Sequence, residues 1–227
     1  TVGGERATMA PGDLVITPPW SFHDHGNDGA VPAMWMDVLD VPIVAFCEAG
    51  FAQQHNSQTQ MPLRPEGAGI ARYGSGLLPM GASSPYGLSS PLVHYPYART
   101  RGALKAVADA GLDPHWGASL RFANPLDGGW LMPTIACWTS LLPAGFASQP
   151  LRSTDGLIVA VAEGRGTALA GDARMAFGPK DIMVIPNWTW RSLVAREDTV
   201  LFCCSDRALQ EKIGLWREER ATGGGKP

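Results

Sequence analysis

Met9-Ala10-Pro11-Gly12-Asp13-Leu14-Val15-Ile16-Thr17-Pro18-Pro19-Trp20-Ser21-Phe22-His23 and Phe177-Gly178-Pro179-Lys180-Asp181-Ile182-Met183-Val184-Ile185-Pro186-Asn187-Trp188-Thr189-Trp190-Arg191 are two copies of one pattern, offset by 168 residues. With that offset Trp20 falls on Trp188, Pro18 on Pro186, Asp13 on Asp181, Met9 on Phe177 and Gly3 on Gly171. Each copy reads as a turn, an apolar run, a proline and an aromatic cluster. Apolar runs bounded by Gly, Asp and Pro are the mark of buried strands in a sandwich or barrel. A repeat of this kind implies two related β units.

The second copy also shows what precedes the shared strand. Strand-like Thr134-Ile135-Ala136-Cys137-Trp138, a Pro143-Ala144-Gly145 turn and Leu157-Ile158-Val159-Ala160-Val161 lead to Glu163-Gly164-Arg165-Gly166. Their counterparts in the first copy would lie before Thr1, so the first unit is expected to be incomplete, with open strand edges that favour poor solubility or pairing with another chain. Residues 55–98 are rich in Gly, Pro and Ser and read as a long surface connection. Thr100 is expected to cap a helix to Ala110, with Gly111 as its stop. A second helix is expected from Asp206 to Arg217, with Leu209, Ile213 and Trp216 on one side. The tail Ala221 to Pro227 reads as disordered.

Composition agrees with short strands joined by turns: 17% charged residues against 27 Gly and 19 Pro. A balance of 18 basic and 21 acidic residues leaves a net charge of -3 and no basic stripe, which speaks against nucleic acid as a partner. Cys47, Cys137, Cys203 and Cys204 lack Cys-x-x-Cys spacing and read as reduced core thiols. No apolar run approaches the ~20 residues that span a bilayer, and no leader opens the chain, so no membrane partner and a cytoplasmic location are expected. The chain begins at Thr1 rather than at Met.

His23-Asp24-His25 follows the first shared strand directly, and strand alternation places both imidazoles on one face. Neutral imidazoles on an inward face suit iron or another first-row metal, although two donors do not complete a site. Arg191 stands in the second copy where His23 stands in the first, and a guanidinium cannot ligate iron. A metal centre is therefore expected in the first unit, and the second is expected to be structural. His55, His94 and His115 read as structural histidines. Trp20, Trp188 and Trp190 read as core packing, with Trp20 also able to edge an aromatic pocket.

The segment from Gly12 to Asn27 resembles the second cupin motif, with Gly12, Pro18, His23 and Asn27 at its characteristic positions and Trp20 where a glycine is usual. Pro18 to Asn27 resembles specifically the gentisate 1,2-dioxygenase family with its salicylate and 1-hydroxy-2-naphthoate relatives. The likeness continues through Trp35 to Pro42, Ser90 to Leu92 and Arg152 to Asp155. It implies an all-β bicupin of two double-stranded β-helix (jelly-roll) barrels, the first incomplete, with a few short helices. The implied parts are residues 1–54 as the end of the metal-site barrel, 55–115 as a connection with one helix, 116–205 as a metal-free barrel, and 206–227 as a helix and tail.

The same resemblance implies Fe(II) as cofactor, His23 as one iron ligand with two further histidines upstream of Thr1, and His25 and Asp37 as catalytic and substrate-contacting groups beside Trp20. It implies cleavage of gentisate by dioxygen to maleylpyruvate, with salicylate or 1-hydroxy-2-naphthoate as alternative substrates, in a homotetramer, and a chain inactive on its own. A cupin acting as a binding or sensor protein without catalysis is the reading from outside enzymology, since fold alone does not set chemistry.

Overall fold

The structure, a computed structural model, describes residues 1–221 and resolves into two units, one of Thr1–Tyr97 with Ala123–Met132, the other of Ala98–Phe122 with the chain from Pro133 onward. Most of the tail expected to be disordered lies outside the described residues.

The first unit holds β1 (Leu14–Val15), α1 (Val41–Phe46), α2 (Ala68–Tyr73) and β2 (His94–Tyr95). β1 and β2 pair antiparallel, Leu14 opposite Tyr95 and Val15 opposite His94, and Ile16 N–H extends the ladder to Val93 O at 2.9 Å. The stretch read from sequence as mere connection thus supplies the partner of the first shared strand. A two-stranded ribbon is marginal by itself, so other bonds must hold it. Asp13 provides several: its carboxylate accepts the N–H groups of Ala10 (2.9 Å) and Tyr97 (2.7 Å) and bonds His94 Nε2 at 2.8 Å.

The Tyr97 bond explains why α3 runs Tyr97–Ala110 and begins three residues before Thr100. A carboxylate 84 residues away satisfies the first amide, a cap that local sequence cannot show. The helix ends at Ala110 as expected, with Gly111 at φ 142°.

The second unit continues with β3 (Ala118–Arg121), β4 (Ala136–Leu142), β5 (Leu151–Ser153), β6 (Leu157–Glu163), β7 (Gly166–Ala170), β8 (Ala173–Phe177), β9 (Ile182–Ile185), β10 (Arg191–Ala195), β11 (Thr199–Ser205), α4 (Arg207–Lys212) and β12 (Glu218–Arg220). They form two five-stranded antiparallel sheets, β12-β5-β10-β7-β8 and β3-β4-β11-β6-β9. In β6 the alternation puts Leu157, Val159 and Val161 inside, each at most 3% exposed, while every residue of β4 is buried. Burying each such side chain stabilises by about 1.5–3 kcal/mol.

α4 stops at Lys212, well short of Arg217, because Gly214 turns left-handed at φ 75°. Trp216, read as part of that helix, instead donates Nε1–H to Asp155 at 3.1 Å and lies under the Arg207 guanidinium at 3.8 Å. Cys137, Cys203 and Cys204 are buried free thiols, and burial pushes the Cys204 thiol up to about 12. Cys47 is exposed and departs from the expected core role.

The 168-residue repeat is written in the backbone of both copies. Gly3 and Gly171 take φ 52° and 55°, Gly12 and Lys180 88° and 74°, Trp20 and Trp188 59° and 54°. Gly3 N–H donates to Phe22 O and Gly171 N–H to Trp190 O, both at 2.9 Å. Asp181 repeats the Asp13 turn by accepting Gly178 N–H at 2.8 Å. Val2 bridges His23 as Ala170 pairs Arg191.

Burial pushes the Asp13 carboxyl up, but the Ala10 and Tyr97 amides and the His94 imidazole outweigh it and hold it below its ordinary value. A depressed carboxylate stabilises the fold above its unfolded pKa of about 3.9, and that contribution is lost as pH falls through the lower folded value. Asp13→Asn should therefore cost about 1–3 kcal/mol at neutral pH. Melts of both proteins across pH should show the difference shrinking in acid; a difference independent of pH would refute the assignment.

Candidate functional site

The candidate site belongs to the first unit and is built where β1 runs out. Pro18 ends the apolar run, Trp20 turns left-handed, and the chain re-enters a ladder at His23, which bridges Val2. Asp24 N–H donates to Thr1 O at 3.1 Å, and its carboxylate accepts Gln60 N–H at 2.8 Å. Burial raises the Asp24 carboxyl, but the Gln60 hydrogen bond contributes to a net shift below the ordinary value. The single residue between the histidines, Asp24, is thus anchored to Gln60.

The two imidazoles meet, with ring centroids 5.6 Å apart at 76°. His25 then stacks on Trp35 at 4.9 Å and 20°. Trp20 leans on Phe51 at 5.2 Å, and Phe22 meets the His55 ring edge at 4.8 Å. The structure therefore joins His23, His25 and Trp35 in one chain of rings. It does not join Asp37 to them: Asp37 is exposed and makes no hydrogen bond or ion pair among the described residues.

Trp20 is 82% exposed, which corrects the core-packing reading. The left-handed backbone takes its ring out of the strand's in-and-out alternation, and Trp188, in the same conformation, is 41% exposed. Trp35 and Phe51 are the site residues that sequence reasoning did not assign. The one available signal was an aromatic residue within the otherwise unstructured Ala33-Met34-Trp35-Met36 stretch.

His94 is held by Asp13, and His115 donates Nδ1–H to Gln149 O at 3.2 Å, both as structural histidines would be. A Gly4 O to Leu63 N–H bond at 2.8 Å and a Glu5 carboxylate bond to Gly69 N–H at 2.8 Å fold residues 60–73 beside the site. Large apolar groups of this unit still face solvent, Met34 at 91% and Phe46 at 89% among them, a surface of the kind that ligands or other protein cover.

Among the described residues no group of three or more His, Cys, Asp or Glu is placed to hold a metal ion. His23 and His25 alone therefore fit at most part of a coordination shell. No described helix is long and apolar enough to cross a membrane.

The fold and this strand-end histidine motif are similar to those of cupins: the family described as cupin domain matches residues 1–39, and the mostly-β fold with a few short helices is the cupin fold of the solved structures it resembles. More narrowly, the chain is homologous to the gentisate 1,2-dioxygenases. It is 45% identical over 97% of its length to gentisate 1,2 dioxygenase 1 of Aquipseudomonas alcaligenes, covering 63% of that protein. It is 32% identical to 5-aminosalicylate 1,2-dioxygenase of a Comamonas species, over 96% of this chain and 58% of the other. The solved structure of salicylate 1,2-dioxygenase from Pseudoaminobacter salicylatoxidans, as adducts with gentisate, superposes with a TM-score of 0.88 at 28% identity, over 96% of this chain and 62% of that one. The chain thus spans about three fifths of the length of these relatives.

The stack on Trp35 makes a prediction independent of activity. The His25 ring protons should be shifted upfield in the NMR spectrum by the indole face, and Trp35→Ala should return them toward ordinary values with a stability loss of about 0.5–1.5 kcal/mol. His25 signals unchanged by the substitution would show that the rings do not stack.

Proposed function

We propose that the protein is an Fe(II)-dependent ring-cleaving dioxygenase of ortho-hydroxy aromatic acids, acting on gentisate to give maleylpyruvate. The observation that carries this reading is the 45% identity to a gentisate dioxygenase along 97% of the chain, the His23-Asp24-His25 segment falling within the part that also matches the cupin domain. The reaction adds both atoms of dioxygen and opens the ring between the carbon bearing the carboxylate and the carbon bearing the adjacent hydroxyl.

In this reading His23 supplies one imidazole to the iron, and its other ligands come from beyond the described residues. Bound iron supplies a common meeting point for the hydroxy acid and dioxygen. The chain's own residues then orient the ring. Trp35 holds His25 by stacking, and His25 hydrogen-bonds the second hydroxyl of gentisate and takes its proton, which enriches the ring in electrons. Trp20 borders the ring, and Asp37 is assigned as the acidic partner of His25 at the same substrate hydroxyl. The second unit, with Arg191 in place of His23, serves as framework.

The role of His25 separates substrates. Salicylate lacks the second hydroxyl, so His25→Ala in the protein as the cell makes it should lower kcat for gentisate by about 10²–10⁴-fold and that for salicylate far less. Oxygen uptake with gentisate, salicylate and 1-hydroxy-2-naphthoate measures this. An equal loss on all three would deny His25 that contact, and no uptake with any of them would leave the binding or sensor reading in its place.

A further inference from the structure

Arg191 opens β10 and is only 4% exposed, yet among the described residues its Nη1 has no hydrogen-bond partner. Its Nη2 donates to Ser153 Oγ at 3.0 Å, and the guanidinium lies 5.3 Å from the centre of the Trp116 ring. Asp155 favours the cation electrostatically, but its carboxylate takes the Trp216 indole N–H at 3.1 Å and makes no ion pair with Arg191. A desolvated guanidinium with an unmet donor is costly. Such a group marks a place where something else is bound.

Arg191 borders an interior cavity of about 20 Å³ between the two sheets, which Trp116, His115, Ser148, Ser192 and Cys203 also line, the remainder of the wall being mainly aliphatic. That is room for about one water-sized or slightly larger sphere. Aromatic acids do not fit. The wall is almost wholly apolar, and its Ser148 Oγ accepts Leu193 N–H at 2.8 Å, which leaves its own O–H to donate. The Cys203 thiol is pushed up by burial and stays protonated. His115 Nδ1–H is taken by its bond to Gln149 O.

We propose that this cavity holds a single monatomic anion, a halide of the chloride class, against Nη1 of Arg191. A water would satisfy the donor alone; a halide also adds its charge to the attraction that Asp155 and Glu218 already exert on the guanidinium. The site occupies in the second copy the position that His23 occupies in the first, so the repeated frame presents a metal-type ligand once and an anion-type ligand once. It is independent of the dioxygenase reading.

Two measurements on the unaltered protein test it. At constant ionic strength, replacing sodium gluconate by sodium chloride should raise Tm saturably, on the order of 2–4 °C. Crystals grown in bromide should show an anomalous peak beside Arg191 Nη1. Arg191→Met, which keeps length and removes charge, should abolish both effects. Equal Tm in the two salts, or a cavity occupied by water with no bromine signal, would overturn the proposal.

Discussion

The left-handed turn at Trp20 and Trp188 is the constraint on which the site geometry depends. A bulky side chain at φ near 55° costs roughly 1–2 kcal/mol relative to an ordinary conformation. Both copies nevertheless carry it. The turn follows the proline that ends the apolar run and brings the chain back into a ladder three residues later, at His23 in one copy and Arg191 in the other. The strain is offset locally: the Arg152 guanidinium lies 4.5 Å from the centre of the Trp188 ring and 4.7 Å from that of Trp190, and Trp20 rests on Phe51. A glycine is usual at this point of the cupin motif, and the φ angle supplies the reason, since only glycine takes that conformation freely.

From this frame the two copies diverge in chemistry. His23 is exposed and belongs to a chain of rings with His25 and Trp35, whereas Arg191 is sealed in a cavity between sheets. A guanidinium kept as framework needs its charge answered internally. The same backbone thus presents an imidazole in one copy and a buried guanidinium in the other, and the side chain at one register position makes the difference.

Much of this was legible beforehand because it rests on period and on backbone-specific residues. The repeat, the apolar strand between Asp13 and Pro18, and the end of α3 before Gly111 all follow from local rules. What escaped depends on distant partners. The start of α3 is set by Asp13 from 84 residues away, and β2 is a strand only because β1 lies beside it. Trp20 was assigned to a core because it recurs at a repeat position with Trp188, and the positive φ that both adopt leaves no trace in a tryptophan. Helical spacing at Leu209, Ile213 and Trp216 was real, but Gly214 breaks the helix between the last two. The partnership of His25 with Trp35 joins residues across a loop without periodicity, so only the fold could reveal it.

The central claim is that position 23 is a metal ligand while position 25 is not. X-ray absorption at the iron edge, on the iron-loaded protein as the cell makes it, reads this directly by counting imidazoles around the metal. The account predicts that His23→Ala removes one imidazole from the iron and that His25→Ala leaves the count unchanged. An iron environment indifferent to His23→Ala, or one that loses a ligand in His25→Ala, would contradict it.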